Sequence, residues 1–484
     1  MKTAACFKKW ILLSMTVPAF FAVPQSLPAQ KKAAPPNIVF ILVDDLGWSD
    51  LGYMGSTIYE TPHIDQFAAQ GMHFTDFYAA GPVCSPTRAS ILTGRNPVNT
   101  GVTTVLISPD QDVDYMAHHL ALSEYTLAEA LRDRGYATGL FGKWHLGYQL
   151  EHWATHQGFD VAIGGEASYN AWQVAYPDRP LPVPAKHLGQ YYFSPYYNVH
   201  MEDGPVGENL GDRLTDETIR FIESRKDRPF FAFLSFHAVH TPLDAKREVE
   251  AKFRKKINGL GLLEIDENQN GSRKYQNLPE YAAMVNQMDG NVGKLLKKLD
   301  DLGLSDNTIV VFSSDNGGKR SVTSNLPLRG GKHMLYEGGI RIPVIVRWPG
   351  NIQPRSISHT PLISDDFYPT LLDLAGLSPV TRRRPDGISF KNVLLGNLAG
   401  TNRGALYWHY PHGQFQGAVR REDYKLLYYY KTGKTELYDL KTDPGETKNL
   451  SKKEPERVAV MKKELHNWLL KNKARFPREG IIMP

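Results

Sequence analysis

One cysteine remains in this chain once its apolar leader is set aside, and the residues around it are polar and basic. The sequence holds two cysteines, Cys6 and Cys84. Cys6 precedes an apolar run from Trp10 to Val23 and leaves with it, so no internal disulfide forms in what remains. Cys84 is then either a buried thiol, the ordinary fate of a free cysteine, or a reactive group. It lies in Pro82-Val83-Cys84-Ser85-Pro86-Thr87-Arg88-Ala89-Ser90-Ile91-Leu92-Thr93-Gly94-Arg95. If a helix begins near Pro86, Arg88 can turn back toward Cys84. Other chemically capable residues come in tight groups: Asp44-Asp45, Lys143 with His145, His237 with His240, Asp315-Asn316, and Lys332. Asp44, Asp45, Asp315 and Asn316 offer only oxygen donors, a set suited to Ca²⁺ or Mg²⁺ over Zn²⁺. Taken alone, Asp-Asp after a strand serves equally as a helix cap.

These groups need a frame, and the sequence supplies one. Asn37 to Val43 is a near-continuous apolar run of strand length, as expected of a central strand covered on both faces. It ends at Asp44-Asp45. Tyr136 to Phe141 leads into Gly142-Lys143-Trp144-His145, Phe230 to Phe236 into His237 and His240, and Thr308 to Phe312 into Ser313-Ser314-Asp315-Asn316. In open α/β sheets functional groups gather at the carboxyl ends of strands. Helical spacing marks Asp65 to Gln70, Leu127 to Arg134 and Tyr281 to Leu302. In the last, Met284, Met288, Val292, Leu295, Leu296 and Leu299 form a core-facing stripe.

Residues 150–210 read as a long insertion carrying loops near the site. Residues 251–278 read as a solvated loop, and Arg382-Arg383-Arg384 as a solvated turn. Beyond residue 378 short alternating runs, Ala405 to Tyr410, Ala418 to Arg420, Tyr424 to Tyr430 and Glu436 to Asp439, predict a small antiparallel sheet. Glu454 to Lys471 closes it as an amphipathic helix. The fold class is therefore α/β: a large, mostly parallel mixed sheet flanked by helices, with a smaller C-terminal antiparallel sheet plus helix. The expected divisions are 1–29, 30–377 and 378–484.

The first division reads as a signal peptide: Lys2, Lys8 and Lys9, then the apolar run, then small residues near Leu27-Pro28-Ala29. The run is short for a membrane span, and no other stretch approaches one. A secreted or periplasmic protein with no span in its mature form is expected. Losing residues 1–29 lowers the net charge from +5 to +2, too little to argue for a nucleic-acid partner.

Cys84-Ser85-Pro86-Thr87-Arg88 with its Leu92-Thr93-Gly94-Arg95 extension resembles the modification motif of type I sulfatases, members of the alkaline phosphatase superfamily. The resemblance covers about residues 36–475. It also rests on Asp44-Asp45, Gly142-Lys143-Trp144-His145-Leu146-Gly147, His240-Thr241-Pro242, Asp315-Asn316-Gly317, and Arg329-Gly330-Gly331-Lys332 followed by Tyr336-Glu337-Gly338-Gly339. It implies an alkaline phosphatase-like fold and a Cys84 oxidised to formylglycine by a formylglycine-generating partner enzyme.

By the same resemblance the metal, Ca²⁺ with Mg²⁺ as the alternative, is held by Asp44, Asp45, Asp315, Asn316 and the modified Cys84. Arg88 and His145 hold and activate the hydrated aldehyde. Lys143 and Lys332 bind sulfate oxygens. His240, alone or together with Lys332, protonates the leaving alcohol, and His145 is the base that restores the aldehyde. His237 has no assigned role. The chemistry demands such a set independently: a sulfate ester is an anion that resists attack, so cations must meet its oxygens. A hydrated aldehyde offers one hydroxyl for attack and a second that expels sulfate without water. A sulfated carbohydrate is the expected substrate. His118, His119, Trp172, Gln173, His409 and His412 fall in predicted loops within reach of the pocket mouth, and each serves equally as ordinary surface. The alternatives are a phosphoesterase or phosphonate hydrolase on the same scaffold, and a catalytically silent glycan-binding homologue.

Overall fold

A computed structural model describes Met1, Ala5 and residues 34–484 except 107–113, 166–191, 197, 199, 266–267, 270, 379–383, 398–402 and 479. Residues 2–4 and 6–33, Trp172, Gln173, Arg382 and Arg383 lie outside the described residues, as does much of 150–210. No helix among the described residues is long and apolar enough to cross a membrane.

Eight strands form the main sheet, in the order Ser356–Ser358, Met72–Phe74, Val344–Arg347, Thr308–Ser314, Asn37–Val43, Phe230–Ser235, Ala137–Gly142, Val161–Ile163. The four strands expected from the sequence are its parallel centre. Val344–Arg347 runs antiparallel to both of its neighbours, so the sheet is mixed. Register explains why the four chemical groups converge. Val43 pairs with Ser314, Leu42 with Ser235, and Ser235 with Gly142, so the strands end flush along one edge.

Asn37–Val43 reads as unbroken apolar sequence because both its faces are buried. Ile38, Phe40 and Leu42 join the core on one face with Ala89, Ile91, Leu92, Leu131 and Phe367. Val39, Ile41 and Val43 join the other with Ile64, Leu214, Phe253, Met284 and Val292. The methionine stripe is thus core, on a helix spanning Pro279–Asp301.

The C-terminal strands Leu406–Tyr410, Gln416–Arg421, Tyr424–Tyr429 and Thr435–Asp439 form an antiparallel sheet in chain order. Trp408, Ala418, Leu427 and Tyr438 pack on Tyr78, Val83, Leu335 and Tyr336 of the main body. Val419, Leu426, Tyr428 and Leu437, on the opposite face, take Met461, Leu465 and Leu469 of helix Pro455–Lys471.

Three expectations need correction. Residues 251–278 are not simply a solvated loop, because Arg247–Gly259 is a helix. Phe253 and Ile257, one turn apart, anchor it with no exposure, while its Lys and Arg residues hid so narrow a stripe. Val161–Ile163, inside the expected insertion, is an edge strand of the main sheet. His409 lies in a strand, not a mouth loop; it is buried against the Tyr430 hydroxyl at 2.9 Å and the Arg475 carbonyl at 2.9 Å.

Candidate active site

The flush strand ends bring Asp44, Asp45, Lys143, Asp315 and Asn316 together, and two loops add His240 and Lys332. Asp44 and Asp45 follow the Asn37–Val43 strand directly. The Asp44 amide donates to the Ala238 carbonyl at 3.0 Å, and the Asp45 amide to Asp315 Oδ1 at 3.2 Å. Asp45 adopts φ 61°, a left-handed turn that an Asp tolerates better than most residues. Gly142 makes the next approach possible. It has φ 110°, and a Cβ there would stand 1.9 Å from the Ser235 carbonyl oxygen. Glycine leaves room for the Lys143 amide to donate to that same oxygen at 2.9 Å.

Cys84 opens a helix running Cys84–Thr93, two residues earlier than the proline suggested. Its Sγ is 3.3 Å from Asp44 Oδ1. Arg88, one turn on, lies on the same face. It is almost wholly buried and grips Asp315 through Nε at 2.9 Å and NH2 at 2.7 Å. Its NH1 donates to the Lys143 carbonyl at 3.0 Å and Ser235 Oγ at 2.6 Å. Ser235 was missed in the sequence; its only signal was its place at the end of an apolar strand.

The two lysines divide the aspartates between them. Lys143 Nζ lies 2.6 Å from Asp44 Oδ2, and Lys332 Nζ 2.8 Å from Asp45 Oδ2. His240 presents Nε2 3.6 Å from the same Asp45 oxygen, while its Nδ1 donates to the Thr241 carbonyl at 2.5 Å. Tyr192, also missed in the sequence, ties this loop down. Its hydroxyl lies 2.8 Å from the His237 carbonyl and 2.7 Å from the His240 carbonyl. His145 sits at φ 57° with a buried Nδ1 that has no hydrogen-bond partner. His237 Nε2 donates to the Gly165 carbonyl at 2.6 Å, which places it in the wall rather than among the charged groups.

Electrostatics follow from this crowding. Burial works against ionisation of Asp44, but Lys143, His240, Arg88 and Lys332 overcome it and hold its carboxyl well below the usual carboxylate range. Burial and the Asp44 charge push Asp315 up, against the pull of Arg88. Burial and the nearby Lys143 and Arg88 hold His145 well below the ordinary imidazole range, so it is a neutral ring.

The remaining expected residues make local contacts. His119 stacks on His152 with centroids 3.5 Å apart. His412 bonds Thr103 Oγ1 at 2.9 Å and stacks on Tyr115. His118 is half-buried, with an Nδ1 that has no partner.

The donor set fits a hard cation. Ligand atoms of Asp44, Asp45, Cys84 and His240 all lie within 4.8 Å of one another. Asn316 commits Nδ2 to Asp45 Oδ1 at 2.8 Å and to the Gly317 carbonyl at 3.0 Å. That leaves its Oδ1 fully buried without a hydrogen-bond donor. An orphaned buried carbonyl beside three carboxylates is costly unless a cation takes it.

Comparison with known proteins identifies the family. Residues 36–377 match the family model described as Sulfatase, and residues 331–475 match that of the N-sulphoglucosamine sulphohydrolase C-terminal region. A sulfatase of Formosa agariphila is 32% identical, with 97% of this chain and 94% of that protein covered. The N-acetylgalactosamine-6-sulfatase of Canis lupus familiaris is 34% identical over 84% of this chain and 74% of its own. Among solved structures, Ps i-CgsB in complex with k-i-k-neocarrahexaose superposes with a TM-score of 0.74 at 28% identity, covering 92% of this chain and 95% of that one. With a mixed sheet whose strand ends gather acids and Lys143 beside the helix start at Cys84, and a family match over most of its length, the chain belongs to the sulfatase family.

Proposed function

We propose that this sulfatase removes O-sulfate from a carbohydrate, with Cys84 converted to formylglycine and Ca²⁺ held by Asp44, Asp45, Asp315 and Asn316. The observation that carries the reading is the placement of Cys84 at a helix start, 3.3 Å from Asp44 and inside a ring of buried cations. The carbohydrate assignment is supported by the relatives, one named for an N-acetylgalactosamine 6-sulfate and one bound to a neocarrahexaose. Bound together, the cation and the hydrated aldehyde would supply an acidified hydroxyl nucleophile and a built-in means of releasing sulfate.

The chain's own residues supply the rest. Lys143 and Lys332 are ammonium groups at 4% and 8% exposure, held on the neighbouring Asp44 and Asp45, where their charge is poorly screened. They are placed to meet the oxygens of a sulfate and the charge that builds on them. Arg88 fixes Asp315 with a two-nitrogen fork and so holds one metal ligand still. His240 has its Nδ1–H committed to the Thr241 carbonyl, so it acts as an acid only in its doubly protonated form, which burial opposes and the Asp44 and Asp45 charges favour, and the proton it then passes to a departing alcohol is the one on Nε2. His145, neutral and buried, is suited to take a proton rather than give one. Mg²⁺ is the alternative ion, and a formylglycine-generating enzyme the required partner. Export of the chain, and its division at 1–29, 30–377 and 378–484, belong to the same proposal.

The test is mass spectrometry of the Cys84 peptide alongside sulfate release from sulfated sugars, using protein co-expressed with a formylglycine-generating enzyme. An aldehyde at Cys84 that rises in proportion to activity is expected. Full activity with an intact thiol overturns the mechanism.

A further inference from the structure

A buried acid with no part in the proposed chemistry lies five residues beyond Asp45. Asp50 has no exposure to solvent. The four groups that bond its carboxyl are all neutral. Oδ2 accepts from the Gly47 amide at 2.9 Å and from the Tyr281 hydroxyl at 2.6 Å. Oδ1 accepts from Thr323 Oγ1 at 2.7 Å and from Gln276 Nε2 at 3.1 Å. Burial pushes the carboxyl up, against the pull of these donors. The Gly47 and Gln276 nitrogens, one on each oxygen, can only donate, so the arrangement suits a carboxylate and not its acid. Burying such a charge against neutral partners is costly, and the cost points to a role.

Its partners come from the segments that carry the proposed ligands. Gly47 lies two residues past Asp45, and the Asp50 amide donates back to the Gly47 carbonyl at 3.1 Å, closing the turn. The Tyr281 hydroxyl, from helix Pro279–Asp301, also lies 3.4 Å from the Asp45 carbonyl oxygen. Thr323 belongs to the loop that follows Asp315-Asn316. That loop sits directly on the turn. A Cβ on Gly318 would stand 3.2 Å from Gly47 Cα, and Ser49 Oγ donates to the Ser324 carbonyl at 3.3 Å. Asn325 Nδ2 donates to the Gly318 carbonyl at 3.0 Å and the Gly330 carbonyl at 3.1 Å, and the Lys332 amide donates to the Gly318 carbonyl at 3.1 Å. Asp50 thus ties the Asp44-Asp45 turn to the loop that runs from Asn316 to Lys332.

We propose that Asp50 is a positioning residue for the cation: it holds the Asp45 turn and the Asn316 loop at the spacing that lets both present oxygens to one ion. The proposal rests on the cation reading given above and adds a residue that does not touch the ion. Asp50→Asn keeps the volume but turns one acceptor oxygen into a donor, so one of the two donor pairs must break. Partners that orient metal ligands from behind are worth about 10–100-fold in metal affinity.

The experiment reads cation affinity and not turnover. Ca²⁺ is titrated calorimetrically into metal-stripped, full-length protein of matched aldehyde content at Cys84. Asp50→Asn should weaken Ca²⁺ binding about 10–100-fold. Tyr281→Phe removes one donor and keeps the ring in the core, so it carries the test if Asp50→Asn does not fold; it should weaken Ca²⁺ binding about tenfold, the worth of one hydrogen bond to a charged group. Val292→Ala is the control for a merely structural loss, since it opens a cavity about three helical turns beyond Tyr281. It should lower Tm and leave Ca²⁺ affinity within about twofold, as expected of distant sites. Parental affinity in a folded Asp50→Asn or Tyr281→Phe protein, or an equal loss of affinity in Val292→Ala, overturns the positioning role. A parent that binds neither Ca²⁺ nor Mg²⁺ overturns the cation reading itself, and this inference with it.

Discussion

Arg88 and Asp315 form a buried two-nitrogen pair, at 2.9 Å through Nε and 2.7 Å through NH2, joining the helix that carries Cys84 to the end of a central strand. Arg88→Lys keeps the charge and loses the fork. We expect activity to fall about a hundredfold, the cost of misplacing a preorganised group, and stability to drop by about 3 kcal/mol, as when one partner of a buried pair is compromised. Because Arg88 also belongs to the motif around Cys84, the aldehyde content of each preparation is measured by mass spectrometry, and activity is expressed per modified chain. A loss that vanishes on that basis would place Arg88 in maturation and not in the site.

Removing the cation should abolish turnover. Ca²⁺ should restore it better than Zn²⁺, since every proposed protein ligand is a hard oxygen. Asp315→Ala should lose bound metal and activity together, with metal content read by elemental analysis. Turnover that persists in metal-depleted protein would contradict the assignment.

A buried carboxyl away from the site makes a pH prediction. Asp365 is pushed up to about 8 by burial, with the Asp366 charge next. Its Oδ1 has no partner, and Oδ2 accepts only a long bond of 3.5 Å from Asn96. A folded value above the unfolded one, near 3.9, means the native state holds this proton more tightly than the unfolded chain. The group's contribution to stability is complete below about pH 4 and is lost as pH rises toward 8. Asp365→Asn keeps the shape without the proton. Its Tm should fall less than the parent's between pH 5 and pH 8, measured by calorimetry. Parallel curves for the two proteins would remove Asp365 as the cause.

Much of this was legible in the sequence because the central strands are buried on both faces. Continuous apolar runs such as Asn37–Val43 left few other readings, and each run ended in a polar group. What could not be read was mutual placement. Nothing local says that Ser235 would hold Arg88, or that Tyr192 would fasten the His240 loop, since both contacts depend on sheet order and register. The helix at Arg247–Gly259 was obscured for a different reason: two buried residues suffice to anchor it, and its remaining positions are mostly charged. His409 misled for another reason: it falls within the strand that Ala405 to Tyr410 predicts, but the groups that bury its ring, Tyr430 and the Arg475 carbonyl, are not local to it.

Lys425 should prove costly to remove. It is fully buried between Glu337 at 2.8 Å and Glu446 at 3.0 Å, and so ties the C-terminal sheet to the helix that follows the Lys332 loop. Lys425→Met leaves two buried carboxylates facing each other. A loss of about 3–5 kcal/mol is expected, read as a lower denaturation midpoint. The triple substitution with Glu337→Gln and Glu446→Gln should recover part of it.

The last prediction separates sulfate binding from leaving-group protonation. His240→Ala should cost more on a sugar sulfate than on an activated aryl sulfate. A sugar alkoxide leaves poorly and needs its proton in the transition state, whereas a nitrophenolate needs little help. General acid catalysis contributes about 10²–10⁴-fold, so the sugar substrate should lose a factor in that range and the aryl substrate much less. The geometry directs the proton to Nε2, because Nδ1 is committed to the Thr241 carbonyl. Lys143→Ala should behave differently. Its ammonium, 2.6 Å from Asp44, is placed to meet the sulfate that both substrates share, so both should fall by similar factors. The measurement is kcat/KM for each variant on one substrate of each kind. Equal losses for His240→Ala would move the acid role to Lys332 or His237, and near-parental turnover in Lys143→Ala would remove that lysine from the sulfate pocket.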